Sequence, residues 1–262
     1  MKKYIILYIK KVLSVFSLVL YNISRNNRCN KEKLHNLKDK YKGERIFIVC
    51  NGPSLKAEDL DKISYLGAYS FACNRIDKIF PYTIWRPYFY TILDDTFQYT
   101  LLENMNNIPA KYKFFAVESY CVTKRVANSI YVKADRNPIY LKSPKFSTDI
   151  EEKLITLGTV TFSMIQIAKY MGFSEIYIIG CDNSYGKEIK KDGTIVDNGT
   201  QSYFMGVSDK ANKKAIAATW QMNIAYDFAE QYSRNNGFRI YNATRGGHLE
   251  SFERVDFDSL FC

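Results

Sequence analysis

The feature that most constrains this chain is a recurring unit: a short apolar run rich in Ile, Val, Phe and Tyr, a polar turn, then a stretch with helical spacing. Arg45 to Cys50 (RIFIVC) is the first such run. It is too short for a helix and continuously apolar, which marks a strand buried on both faces. Tyr69 to Cys73, Tyr88 to Leu93, Lys113 to Val117, Ser129 to Val132, Glu175 to Ile179 and Arg239 to Tyr241 repeat it. Leu55 to Ile63, Thr159 to Met171 and Ala211 to Arg234 place apolar residues on helical faces. Strands alternating with helices imply right-handed crossovers. The expected fold class is α/β: a Rossmann-like, doubly wound, mostly parallel sheet with helices on both faces and a lid loop.

In such sheets ligands bind beyond the carboxyl ends of the strands, and polar clusters fall there. Asn51-Gly52-Pro53-Ser54 follows the first strand. Gly52 lets a backbone approach a phosphate, Pro53 suits a helix start, and Ser54 is a cap or an oxygen ligand. An ordinary capped turn has the same composition, and the segment is neither a P-loop nor G-x-G-x-x-G. Asn74-Arg75 follows the second strand, offering an amide for a base or ribose edge and a fork for phosphate. Asp94-Asp95 ends the third, as a general base, a metal ligand or a helix cap. Gly180-Cys181-Asp182 ends the Glu175 strand, with Thr159 and Thr161 at the start of the preceding helix. Lys187 to Gly206 is long enough to be a lid, with Tyr185, Tyr203 and Phe204 to close over a ligand; a hairpin through Asp192-Gly193 is the alternative. Arg245 is an anion contact, and His248, one of two histidines, is a catalytic candidate or a structural residue.

The N-terminal region is a separate unit: residues 1–43 form an amphipathic helix and linker, and 44–262 the nucleotide-binding catalytic domain. Lys10 and Lys11 leave only Val12 to Ile23 free of charge, short of the ~20 apolar residues that cross a bilayer. On a helix Ile5, Ile9, Val12, Phe16, Val19 and Ile23 share one face, with Lys3, Lys10, Ser14 and Ser17 towards the other. Such a helix lies in an anionic membrane surface, or packs on the domain or a partner subunit. Residues 24–43 read as a polar linker with a short helix.

The net charge of +10 is not gathered in one block, which argues against nucleic acid as a partner. Its density near the N-terminus suits anionic lipid. Six cysteines without a C-x-x-C pair, and two histidines, argue against zinc. Cys50, Cys73 and Cys181, at strand ends, are read as buried free thiols in a reducing cytosol.

Taken in order, NGPSL, CNRI, WRPYFYTILDD, MGFSEIYIIGCD and NATRGGHLESFER resemble the family of the archaeal 6-hydroxymethylpterin diphosphokinase and the motility-associated-factor glycosyltransferases of flagellin. The likeness runs from about residue 44 to 262. More distantly, the turn, the Cys-Asn pair and the G-F-S-E-I-Y-I-I-G-C-D segment resemble small bacterial sialyltransferases. That resemblance implies nucleotide contacts at Asn51, Gly52 and Asn74. The sialyltransferase base is a lid histidine; Val207 occupies the similar place here, so Asp94, Asp95 or His248 would have to act instead.

These likenesses imply a transferase. The leading expectation is a glycosyltransferase moving a nonulosonic acid from a CMP-sugar to a cell-surface glycan or lipid-linked acceptor, with no cofactor required. The enzyme would be cytoplasmic, peripheral on the inner face of the plasma membrane through residues 1–23. The alternative is an ATP-dependent pterin diphosphokinase needing Mg²⁺, with Asp94, Asp95 and Asp182 as ligands. A nucleotide-binding protein without catalysis is a third.

Overall fold

Eight strands lie side by side in one sheet whose spatial order reverses about the first. The computed structural model describes residues 2–93 and 102–261. In the main sheet are β1 (Arg45–Val49), β2 (Tyr69–Cys73), β3 (Phe89–Ile92), β4 (Tyr112–Ala116) and β5 (Ser129–Val132). Short β6 (Ala134–Asp135) and β7 (Leu154–Ile155) pair with each other. The main sheet resumes with β8 (Glu175–Ile179) and, beyond the small strands β9 (Lys187–Ile189), β10 (Ile195–Asp197) and β11 (Ile216–Ala217), ends with β12 (Arg239–Asn242) and β13 (Glu253–Arg254). Its order is β13-β12-β8-β1-β2-β3-β4-β5, and all its pairings are parallel. The chain winds outward from β1 through β5, then returns to the other side of β1 with β8. The β1/β8 boundary is therefore the topological switch point, where such sheets open a crevice.

The runs are continuously apolar because both faces are covered. Ile46, Ile48 and Cys50 enter one core with Phe162 and Ile165 of α6 (Val160–Tyr170) and Ala225 and Ala229 of α8 (Thr219–Asn235). Phe47 and Val49 enter the other, with Leu60 and Ile63 of α3 (Ala57–Tyr65) and Met105 of α4 (Leu102–Asn107). The α/β, doubly wound expectation matches this architecture.

Two details differ from the sequence reading, and a third matches an alternative that it named. Ala211 to Arg234 is not one helix: α7 (Asp209–Lys214) stops, Ile216–Ala217 pair with β9 as β11, and α8 starts at Thr219. Helical periodicity does not register a two-residue strand claimed by tertiary pairing. Residues 24–43 are not a free linker. After α1 (Lys2–Ile23), α2 (Arg25–His35) and the turns beyond it put Leu34, Leu37 and Tyr41 into the core at 2%, 2% and 5% exposure. Lys187 to Gly206 contains the hairpin, β9 pairing antiparallel with β10.

On α1 the serine side faces the protein. Ser17 and Tyr21 are buried; Ser17 Oγ accepts from the Cys121 amide in α5 (Tyr120–Thr123), and Tyr21 packs edge-on against Tyr120. Among the described residues, no helix is long and apolar enough to cross a membrane.

Candidate functional site

The carboxyl ends of β2, β1, β8 and β12 bring Asn74, Asn51, Asp182 and Thr244 to one edge. The turn after β1 is tied to the segment after β8. Gly52 N–H donates to Gly180 O at 2.8 Å. Ser54 donates to Asp182 Oδ2 from its backbone N–H at 3.2 Å and from its hydroxyl at 2.8 Å. The fit requires glycine: a Cβ on residue 52 would lie 2.0 Å from Asp182 Oδ2 and 2.6 Å from Gly180 O. From the β12 side, His248 N–H donates to Asp182 O at 2.7 Å, and Thr244 Oγ1 accepts from Cys181 N–H. Burial raises the Asp182 carboxyl above its ordinary value, although the Ser54 bonds pull it the other way.

The turn is not the phosphate cradle that its composition suggests. No helix opens at Pro53: α3 begins at Ala57, its N-cap is Lys56, and Ser54 serves Asp182 instead. The amides of Gly52 and Ser54 are taken as above, Leu55 N–H donates to Gly52 O, and proline has no N–H. The unspent capacity is of the opposite kind. Asn51, 9% exposed, donates from Nδ2 to Cys73 O at 3.1 Å, which orients the amide and leaves Oδ1 buried without a partner among the described residues. Asn74 is held in the left-handed region (φ 53°) by Tyr90 OH donating to its carbonyl, and its Oδ1 is likewise buried and unmatched. Asn183, also left-handed, repeats this beside Asp182. Buried acceptors without donors cost free energy unless something fills them. Hydroxyl or amino donors are the groups that would match these oxygens.

Beneath the turn, Cys50, Cys73 and Cys181 are buried free thiols, as their strand-end positions suggest. Hydrogen bonding to Cys181, then burial, raises Cys50 well above the usual thiol range; burial pushes Cys73 up to about 12. Thr161 Oγ1 lies 3.4 Å from Cys50 Sγ. Thr159 caps α6, accepting from Thr161 N–H. Tyr226 OH lies 3.4 Å from Cys181 Sγ and 3.3 Å from Thr159 Oγ1. Both threonines thus belong to the wall of this edge.

The segment after β8 covers the turn. Phe204 is 1% exposed, and its N–H donates to Asn51 O at 3.1 Å. Tyr203 and Tyr185 are half-buried, and burial among the three thiols keeps the Tyr185 phenol well above its ordinary value. Val207 is buried.

Other predicted residues fall elsewhere. Arg245 is committed to carboxylates: Nε and Nη2 fork onto Asp59 at 2.8 and 2.9 Å, and Nη2 also reaches Asp258. It ties the β12 loop to α3, a role invisible in a sequence where its partner stands 186 positions away. His248 is exposed, and the contact that places it is made by its backbone. Arg75 is half-buried at the edge. Asp94 and Asp95 lie outside the described residues. Asn183 and Tyr226 escaped the sequence reading; position just after Asp182 was the available signal for Asn183. Two open clefts, of about 240 and 300 Å³, lie towards the amino ends of the strands, lined by Ser174 and Arg239 and by Ser70 and Trp85, away from these groups.

A family model described as 6-hydroxymethylpterin diphosphokinase MptE-like matches residues 19–188, which include the turn, Asn74 and Asp182. The structure is similar to that of the MAf glycosyltransferase from Magnetospirillum magneticum AMB-1, with a TM-score of 0.52 and 16% identity over 88% of this chain. The match covers 38% of that protein, so this chain spans well under half of its length, and the likeness is one of fold. No curated protein matches the chain.

Proposed function

The chain belongs to the MptE-like family, and from that premise we propose that it is a glycosyltransferase moving a nonulosonic acid, of sialic or pseudaminic type, from a CMP-activated donor to a cell-surface glycan. The observation that carries this reading is the set of unmatched carboxamide oxygens on Asn51 and Asn74 at the switch-point edge. They ask for hydrogen-bond donors, which the ribose hydroxyls and the amino group of a cytidine supply. That the fold neighbour is a glycosyltransferase supports the reaction class.

In this mechanism the anomeric carbon–oxygen bond to the CMP phosphate breaks, and the acceptor hydroxyl forms the new glycosidic bond. Asn51 and Asn74 hold the nucleoside, and Tyr185 and Tyr203, beneath the Phe204 segment, exclude water from the leaving phosphate. Arg75 balances the charge that develops on it. The acceptor proton passes to a carboxylate at 94 or 95, or to His248.

The second reading, an ATP- and Mg²⁺-dependent pterin diphosphokinase, is favoured by the description of the family itself. The turn supplies few free amides for a triphosphate, and with Oδ2 held by both Ser54 bonds only Asp182 Oδ1 remains to meet a cation.

Thermal unfolding with CMP and no metal, against ATP with Mg²⁺, separates the two. CMP at a hundred times its Kd adds about 2.7 kcal/mol, and Asn51→Ala removes that shift. A shift with ATP and Mg²⁺ alone reverses the ranking; no shift with either removes both readings.

A further inference from the structure

Helix α1 docks through the side that carries Ser17, Tyr21 and the half-buried Leu18 and Leu20, and leaves a second apolar side outside. Ser17 is fully buried, and Val12, Val15, Phe16, Val19 and Ile23 are 49%, 57%, 54%, 52% and 76% exposed. Their spacing puts all five on one stripe. No charged residue interrupts Val12 to Ile23, and no acidic residue precedes Glu32. Lys10 and Lys11 stand before the stripe in sequence, and exposed Arg25, Arg28 and Lys31 follow it. Lys124 and Arg125, exposed beyond α5, adjoin the helix that α1 packs against.

An apolar stripe flanked in sequence by cations, with no acid before Glu32, complements acyl chains beneath anionic headgroups. We propose that the exposed face of α1 seats the protein on an anionic lipid surface, parallel to the bilayer. The stripe spans about 17 Å at the helical rise, too short to cross a core of about 30 Å. The Ser17 bond to the Cys121 amide keeps the other face on the protein. The segment that receives α1 directly follows the carboxyl end of β4. The helix therefore sits at the same, carboxyl end of the sheet as Asn51, Asn74 and Asp182. This placement does not depend on which nucleotide that edge binds.

The test uses the full chain in flotation with vesicles of phosphatidylcholine alone and of phosphatidylcholine with phosphatidylglycerol. Binding to the anionic vesicles only, weakened by added salt, is expected. Phe16→Ser with Val19→Ser alters solvent-facing side chains and should lower binding about tenfold or more with an unchanged melting temperature. Arg25→Glu with Arg28→Glu should remove the preference for anionic lipid. Equal binding by the Phe16/Val19 variant, or no binding to either vesicle, overturns the proposal. So does light scattering showing a dimer that this variant dissociates, since the stripe is then an interface between two copies of the chain.

Discussion

Replacing Gly52 with alanine tests how the site is built. The added Cβ would fall 2.0 Å from Asp182 Oδ2 and 2.6 Å from Gly180 O. The carboxylate can rotate away, but it then loses both hydrogen bonds from Ser54. A hydrogen bond to a charged group contributes about 1.5–3 kcal/mol. The Gly180 carbonyl belongs to the backbone and yields only by opening its 2.8 Å bond from Gly52 N–H. A cost of about 3 kcal/mol follows, within the usual range for overpacking. For a chain of this size that lowers the melting temperature by roughly 6–12 °C. Thermal and urea unfolding measure it, and Asp182→Ala closes a double-mutant cycle. Without the carboxylate only the backbone overlap remains, so Gly52→Ala should cost about 1–2 kcal/mol less in that background. A stability within about 0.5 kcal/mol of the parent, or an equal cost in both backgrounds, refutes the close approach of the two loops.

Asp182→Asn keeps an acceptor for Ser54 and removes the charge. Because burial raises the Asp182 pKa from its ordinary 3.8, its contribution to stability is complete below that value and is lost as pH rises through the folded one. Urea midpoints from about pH 4 to about pH 7 should show the asparagine variant gaining on the parent over that window; a constant difference contradicts the assignment. Arg245→Ala strands Asp59, 6% exposed, beside a lost fork. The expected cost is about 2 kcal/mol, below the 3–5 typical of a fully buried pair because the guanidinium is partly in water. The CMP-induced shift should persist; its loss at full stability would place Arg245 on the ligand. Phe204→Ala empties a packed site beneath the lid, so limited proteolysis between residues 186 and 206 should accelerate more than global unfolding does. Unchanged cleavage would show that Phe204 does not hold the segment down.

The sheet was legible in the sequence because a parallel strand buried on both faces has to be continuously apolar, and a polar turn has to close it. RIFIVC, YSFAC and EIYII meet that condition without reference to neighbours, and the ends of their strands named Asn51, Asn74 and Asp182. What those residues do with their hydrogen bonds was not legible. Pro53 and Ser54 have the composition of a helix start, yet the amides there are spent on Gly180 and Asp182, which lie far along the chain and adjacent in space. Arg245 has the composition of an anion contact, yet α3 presents Asp59 to it.

The sequence by itself determined the principal strands of the main sheet, the helices that start near Leu55 and Thr159, and that a helix near the N-terminus is amphipathic. Those properties follow from local spacing and from the cost of burying polar groups. Only the tertiary structure decided which face of α1 stays outside, which polar atoms are already satisfied, and which are left without a donor. Hydrogen-bond saturation and burial depend on what the fold brings alongside a residue, and that neighbour is encoded elsewhere in the chain.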